Sequence, residues 1–306
     1  MSQLSLSFEF FPPRSEAQQR RFWQTLGCLQ TLNPAYISMT WGALGSTSQA
    51  SLDVLEHLVK DATVPVTAHL SCSGQTEAQM SVMIEQLRAL GITRFLALRG
   101  DNSATETDAA ANAGNVANTT LGTGAGTQAG GEPTLAHASD LVRLLARDTS
   151  RDITVAAYPE VHPEAPSADA DLFRLKEKLD AGASRAITQF FFEADTFLRF
   201  RDRAVGIGIQ QTLVPGILPI HDIQKVADFG SRCGATVPDH LFTRFAKADS
   251  AESRRSAAVE QCVEMCQRLR REGVSEFHLY TLNQAPLAYK VSRELMGRPV
   301  KETAAA

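Results

Sequence analysis

Two hydrophobic periods alternate along the chain. Leu4-Ser5-Leu6-Ser7 alternates apolar with polar and runs into Phe8-Glu9-Phe10-Phe11 before Pro12-Pro13. Alternation and aromatic content favour a strand, and the two prolines, which cannot donate to a ladder, end it. Ser15 to Leu32 then takes helical spacing, with Ser15 placed to cap its start. The exchange repeats. Strands are predicted at 36–40, 64–70, 94–99, 153–158, 185–191, 213–218 and 276–281. Helices are predicted at 49–61, 76–90, 134–147, 168–181, 195–205, from about Asp222, at 251–271 and at 285–296. Strands separated by helices form a parallel sheet, because parallel pairing needs a helical crossover. Eight of them are the number that closes a (β/α)8 TIM barrel, so the fold class is α/β and residues 1–306 form one barrel domain. An open doubly wound sheet is the alternative.

The period breaks once. Residues 102–132 are rich in Ala, Asn, Thr and Gly and poor in large apolar side chains, and read as a long mobile loop insertion. Gly122-Thr123-Gly124-Ala125-Gly126 within it approaches a dinucleotide fingerprint, but no strand precedes it and no acidic residue follows at the required spacing.

Composition narrows the function classes. With 43% hydrophobic and 21% charged residues the chain is globular, and a net charge of −4 lacks the basic footprint of a nucleic-acid binder. No apolar run approaches the roughly 20 residues that span a bilayer, and the N-terminus has no secretory pattern, so a cytoplasmic protein without membrane contact is expected. Cys28, Cys72, Cys233, Cys262 and Cys266 are odd in number and form no C-x-x-C, as suits free thiols in a reducing compartment.

In a barrel of this type the chemistry lies at the C-terminal strand ends. Those ends are Glu9, Thr40, His69, Arg99 with Asp101, Tyr158, Gln189, Ile217 and Leu282. Individually each has a plain structural reading: Glu9 pairs with Arg14, His69 is a satisfied core histidine, Gln189 bonds backbone, Arg99 pairs with Asp101. Their common position argues for a ligand site. Glu9 stands among three phenylalanines, where burial raises a carboxyl pKa toward that of a general acid. His69 is taken as the only strand-end histidine, so no metal set is evident, and Cys72 has no base assigned to it.

Longer strings then carry a resemblance. Ser7-Phe-Glu-Phe-Phe-Pro-Pro-Arg14, Ala97-Leu-Arg-Gly-Asp101, Ala156-Ala-Tyr-Pro-Glu-Val-His-Pro-Glu164, Asp180-Ala-Gly-Ala183 with Ile187-Thr-Gln-Phe-Phe-Phe192, Pro215-Gly-Ile-Leu-Pro219 and residues 277–283 resemble the bacterial methylenetetrahydrofolate reductases. They lie in order along nearly the whole chain. The resemblance implies an FAD-holding barrel working by a ping-pong scheme: NADH or NADPH reduces the flavin and leaves, and the reduced folate 5,10-methylenetetrahydrofolate then enters and is reduced to 5-methyltetrahydrofolate. It implies that Glu9 protonates the folate to open its ring and that Asp101 favours the cationic intermediate electrostatically. It places Thr40, His69, Leu98, Arg99, Gly100, Asp101, Ala156, Tyr158, His162, Asp171, Lys178 and Ile187 at flavin contacts. Glu9, Gln189, Phe229 and Leu282 fall at folate or nicotinamide contacts. It also implies a homo-oligomer, a role in one-carbon metabolism and methionine biosynthesis, and no appended regulatory domain.

Three departures stand out. The family's Tyr-Gly-Ala-Asn is Trp41-Gly42-Ala43-Leu44 here; Arg174 and Glu177 replace an amide and a basic residue expected near the flavin diphosphate; and the loop after Asp101 is longer than usual. A flavin-independent folate-binding barrel methyltransferase, which predicts a colourless protein, and a non-catalytic folate- or flavin-binding protein, which would be expected to lose the acid that Glu9 supplies, are the alternatives.

Overall fold

Phe8 and Phe10 are fully buried, and so are Phe95, Phe277 and Leu279, all on strands and all facing the surrounding helices. Each such ring stabilises the fold by about 2–3 kcal/mol through burial. Because side chains alternate along a strand, fixing these outward turns their neighbours inward. The computed structural model describes residues 3–40, 49–100 and 133–298, without the side chains of residues 49–51. The strands are β1 (Ser5–Phe10), β2 (Tyr36–Met39), β3 (Val66–Ser71), β4 (Arg94–Leu98), β5 (Asp152–Ala157), β6 (Arg185–Phe190), β7 (Thr212–Ile217) and β8 (Glu276–Tyr280). All pair in parallel, in sequence order, and β8 closes on β1 with Glu9 opposite Tyr280. The (β/α)8 barrel expected from the hydrophobic periods is the fold.

The helices are α1 (Glu16–Gln30), α2 (Gln49–Asp61), α3 (Glu77–Ala89), α4 (Ala138–Leu145), α5 (Ala168–Asp180), α6 (Ala194–Gly206), α7 (Ile223–Arg232), α8 (Asp239–Ala246), α9 (Ala251–Arg271) and α10 (Ala285–Leu295). Ser15 caps α1 by accepting from the Gln18 amide. Two details depart from expectation. The helix predicted from Thr134 begins at Ala138, since Thr134 is drawn into an antiparallel bridge with Thr76. The short α8 was not foreseen; it buries Leu241 and Phe245 against a second apolar cluster with Phe190 and Tyr280.

The N-terminal end of the barrel interior is ionic. Asp152 bonds Arg94 at 2.7 Å and lies 3.7 Å from Arg185, which reaches Glu276 at 3.3 Å. The Arg94 guanidinium also sits over the Tyr36 ring. Above this ring of charges Tyr36, Leu96, Leu98, Ile187 and Val214 pack as an inner apolar layer, with Ala156 against it.

At the opposite end, residues after β8 stitch the barrel shut. The Asn283 side chain accepts from the Phe11 amide at 2.9 Å and donates to the Phe11 carbonyl at 2.8 Å, while the Thr281 hydroxyl donates to the Glu9 carbonyl at 2.6 Å. Leu282 and Asn283 both adopt left-handed backbone to make this turn.

Candidate active site

Glu9 is the focus of the barrel mouth. Phe8 and Phe10 point outward, so its carboxyl points in, 3% exposed. The same alternation on β3 and β8 sends His69 and His278 inward, and each places Nε2 3.6 Å from Glu9 Oε2. Burial outweighs the attraction of His69 and raises the Glu9 carboxyl to about 7. Burial lowers His69 to about 4 and His278 to about 3, so both imidazoles are neutral near pH 7. A carboxylic acid poised near neutrality between two uncharged rings can deliver a proton and take one back. The ion pair with Arg14 does not form: Arg14 is exposed, its backbone amide donating to Gln18.

His69 is not a satisfied core histidine. Both its ring nitrogens are buried without a hydrogen-bond partner among the described residues, as are Thr40 Oγ1, Ser38 Oγ and Glu9 Oε1. Buried polar atoms are ordinarily paired, so such a cluster is the imprint of a polar ligand.

The loop after β5 adds a further donor. His162 Nδ1 accepts from the Glu164 amide at 3.1 Å, which puts the ring proton on Nε2, buried and without a partner among the described residues. Tyr158 meets the ring edge-to-face at 4.5 Å. Burial, with Lys178 and Arg99 nearby, lowers His162 to about 4. Asp171 braces this loop and Lys178 the strand before it: Asp171 accepts from the His162 amide at 3.0 Å, and Lys178 Nζ donates to the Ala156 carbonyl at 2.5 Å. Burial lowers Lys178 to about 8 against the pull of Asp171, whose own carboxyl burial raises.

Gly100 has no side-chain option. Its φ is +87°, and a Cβ there would lie 1.7 Å from Ser71 Oγ, whose hydroxyl donates to the Arg99 carbonyl. Arg99 itself is buried at the top of β4. Leu98, Ala156 and Ile187 form the floor of the mouth as part of the inner apolar layer. Gln189 takes its plain alternative in part, its Oε1 accepting from the Phe190 amide at 3.0 Å. Phe229, on α7, stacks on Phe190 at 5.4 Å, and Leu282 packs into the same side cluster, so both border the mouth from the β6–β8 side. Asp101, Trp41-Gly42-Ala43-Leu44 and the insertion 102–132 lie outside the described residues. Arg174 and Glu177 pair with each other at 2.8 Å, both half-exposed on α5, so the acid expected to repel a diphosphate carries its own counter-charge.

Cys72 is no nucleophile: burial pushes its thiol up to about 12, and it points at the His137 carbonyl. His278 corrects the reading of His69 as the only strand-end histidine. Its signal was available, since it alternates with the outward Phe277 and Leu279 on the last strand. Ser7 and Tyr280 follow from the same parity.

Set beside known proteins, the chain matches the family model described as methylenetetrahydrofolate reductase over residues 1–296. The chain belongs to the methylenetetrahydrofolate reductase family. It is 37% identical over 298 residues to the 5,10-methylenetetrahydrofolate reductase of Escherichia coli, covering 97% of this chain and 92% of that one. The Arabidopsis thaliana methylenetetrahydrofolate reductase (NADH) 1 is 31% identical, with 92% of this chain matching 46% of that longer one. Among solved structures, an uncharacterized protein from Clostridium thermocellum that binds two copies of 5-methyl-5,6,7,8-tetrahydrofolic acid has a TM-score of 0.61 at 12% identity, covering 96% and 94% of the two chains. That likeness carries the barrel fold alone. Family membership and the geometry meet at Glu9, the acid of the first resembling string.

Proposed function

We propose that this member of the family reduces 5,10-methylenetetrahydrofolate to 5-methyltetrahydrofolate with Glu9 as the proton donor, using NADH or NADPH through FAD in two separate half-reactions. Family membership supports the folate reduction, and one observation carries the role of Glu9: a buried carboxyl held near pKa 7 at the barrel mouth between two neutral imidazoles.

The residues present fit a flavin. Thr40 Oγ1, the ring nitrogens of His69 and His162 Nε2 are buried polar atoms without partners among the described residues, and Gly100 packs against Ser71 beside them. Thr40, His69, Arg99, Gly100, Tyr158 and His162 would hold the group, over a floor of Leu98, Ala156 and Ile187. When bound, FAD supplies the hydride-carrying chemistry that no side chain can. Glu9, with a pKa near 7, gives its proton to the folate nitrogen as the ring C–N bond opens. Phe229 and Leu282 offer an apolar wall for the folate or nicotinamide ring, and Gln189 keeps its amide nitrogen for it. Asp101 follows Gly100 directly, and we assign it electrostatic support of the cationic folate. A homo-oligomer in the cytoplasm belongs to the same reading; among the described residues no helix is long and apolar enough to cross a membrane.

The test is an absorption spectrum of the purified protein before and after anaerobic addition of NADH, followed by the folate. Flavin bands that bleach with NADH and return with methylenetetrahydrofolate are the expected result. A protein that stays colourless with added FAD would overturn the flavin assignment and favour a flavin-free folate barrel.

A further inference from the structure

Two histidines face Glu9, but only one has its ring fixed. His69 has no hydrogen-bond partner at either nitrogen among the described residues. His278 is stacked on Tyr36 at 6.0 Å, meets Tyr280 edge-on at 5.5 Å, and places Nδ1 2.7 Å from Ser7 Oγ, with Nε2 on the far side against Glu9 Oε2. We infer that Ser7 and His278 are positioning residues for Glu9: the Ser7 hydroxyl donates to Nδ1, and this keeps the ring proton on Nε2, facing the carboxyl.

Ser7 has a single hydroxyl proton and two acceptors within reach, His278 Nδ1 at 2.7 Å and the Phe277 carbonyl at 3.4 Å. The shorter contact has the length of a good hydrogen bond and the longer one does not. A neutral imidazole that accepts at Nδ1 must carry its proton on Nε2. Burial keeps the ring neutral, so it contributes a donor and no charge. At 3.6 Å the Nε2–H is just beyond hydrogen-bond length from Oε2, and contacts of this kind tighten when an active site fills. Once Glu9 has released its proton, this N–H stabilises the carboxylate left behind. It thereby limits the rise in pKa that burial imposes and eases release of the proton near neutral pH. The opposite tautomer would turn a lone pair on the carboxylate. The other titratable groups facing the pair among the described residues are His69 from β3, Tyr36 from β2 and Tyr280 from β8. The Tyr36 hydroxyl approaches Ser7 but not with hydrogen-bond geometry, so it leaves the Ser7 proton to Nδ1. The Tyr280 hydroxyl is spent on the Thr188 carbonyl at 2.8 Å.

The inference rests on the reading of Glu9 as the folate acid, and two measurements separate them. Two-bond proton–nitrogen NMR of histidine-labelled resting protein reads the tautomer without turnover. His278 is expected with the proton on Nε2 in the parent and a shift toward Nδ1–H in Ser7→Ala; a parent spectrum with Nδ1–H overturns the inference. Rapid-mixing kinetics of the folate half-reaction against pH then reads the consequence. The limb on which the rate falls as Glu9 ionises is expected to move up by about one unit in Ser7→Ala, with Ser7→Thr returning it to the parent position. A Ser7→Ala profile superimposed on the parent overturns the positioning role. Should Glu9→Gln retain full folate reduction, the acid reading falls and the positioning role with it, and the tautomer spectrum alone then decides the Ser7–His278 arrangement.

Discussion

At the N-terminal end of the barrel interior, Arg94, Asp152, Arg185 and Glu276 form a chain of ion pairs in which each acid has a cation and each cation an acid. At the C-terminal end, Glu9, His69, Thr40 and His162 are more deeply buried and yet keep polar atoms without partners among the described residues. The same parity of the same strands builds both. Satisfied charges are what a barrel needs in order to stand. Unsatisfied ones cost stability and persist where a ligand or a reacting proton completes them. Arg185 Nε and the Tyr36 hydroxyl also lack partners among the described residues, so the two ends differ in how their charges are paired rather than in every polar atom.

That contrast can be broken by substitution, and the effects should fall in a definite order. Glu9→Gln should reduce folate reduction by about 10²–10⁴-fold, the range of general acid catalysis, while flavin reduction by NADH stays within a few-fold of the parent in rapid-mixing kinetics. Equal losses in both half-reactions would remove Glu9 from the folate step.

The same variant should reveal what the site costs the fold. Glu9 has a folded pKa of about 7, above its ordinary 4.5, so the folded state holds its proton more tightly and stability falls as pH rises from 4.5 through 7. At pH 8 Glu9→Gln should therefore be more stable than the parent by up to about 3 kcal/mol, and the gain should vanish at pH 4.5 in denaturant titrations. The histidines run the other way. His69, His162 and His278 are held neutral well below 6.5, so the parent should lose stability as pH falls from 6.5 toward 4.

At the opposite end Asp152→Ala leaves two guanidinium groups without their shared acid. A loss of about 1–3 kcal/mol is expected in chemical unfolding, discounted for partial exposure, with both half-reactions unchanged per folded molecule. Impaired chemistry in that variant would break the division between the two ends. Thr40→Val is its mirror image: stability held or gained, because the hydroxyl has no partner to lose among the described residues, and FAD retention weakened by about tenfold in a flavin titration. The smallest effect is expected at Glu177→Gln on α5. An exposed pair with Arg174 contributes a few tenths of a kcal/mol, so FAD affinity should change by less than about threefold.

Much of this was legible in the chain. Eight apolar runs separated by helical periods are a backbone-level signal, and the closed barrel follows from them and from the handedness of parallel crossovers. Glu9 was legible because a carboxylate among phenylalanines is conspicuous. The inward turn of His278 was legible from its alternation with Phe277 and Leu279, but its partners were not: only register with β1 brings it to Ser7 and Glu9. Asp171 and Lys178 have, beside the cofactor role that the resemblance implies, a structural part that the chain did not show. Asp171 accepts from the His162 amide and Lys178 donates to the Ala156 carbonyl on β5, contacts that only the folded chain brings together. The short α8 escaped because its eight residues bury only two side chains, too few to set a period.

The Asn283 clasp gives the site a place in time as well as in space. Glu9 leaves the ribosome long before His278 and the residues that pin β8 to β1, with Thr281 and Glu9 272 positions apart. Contacts of such long range form late, after the intervening chain has paid its loop-closure entropy. The proton donor and its histidine can therefore meet only when the final strand docks. Catalytic competence should then appear with the last step of folding, and incomplete barrels should carry the acid without the means to use it.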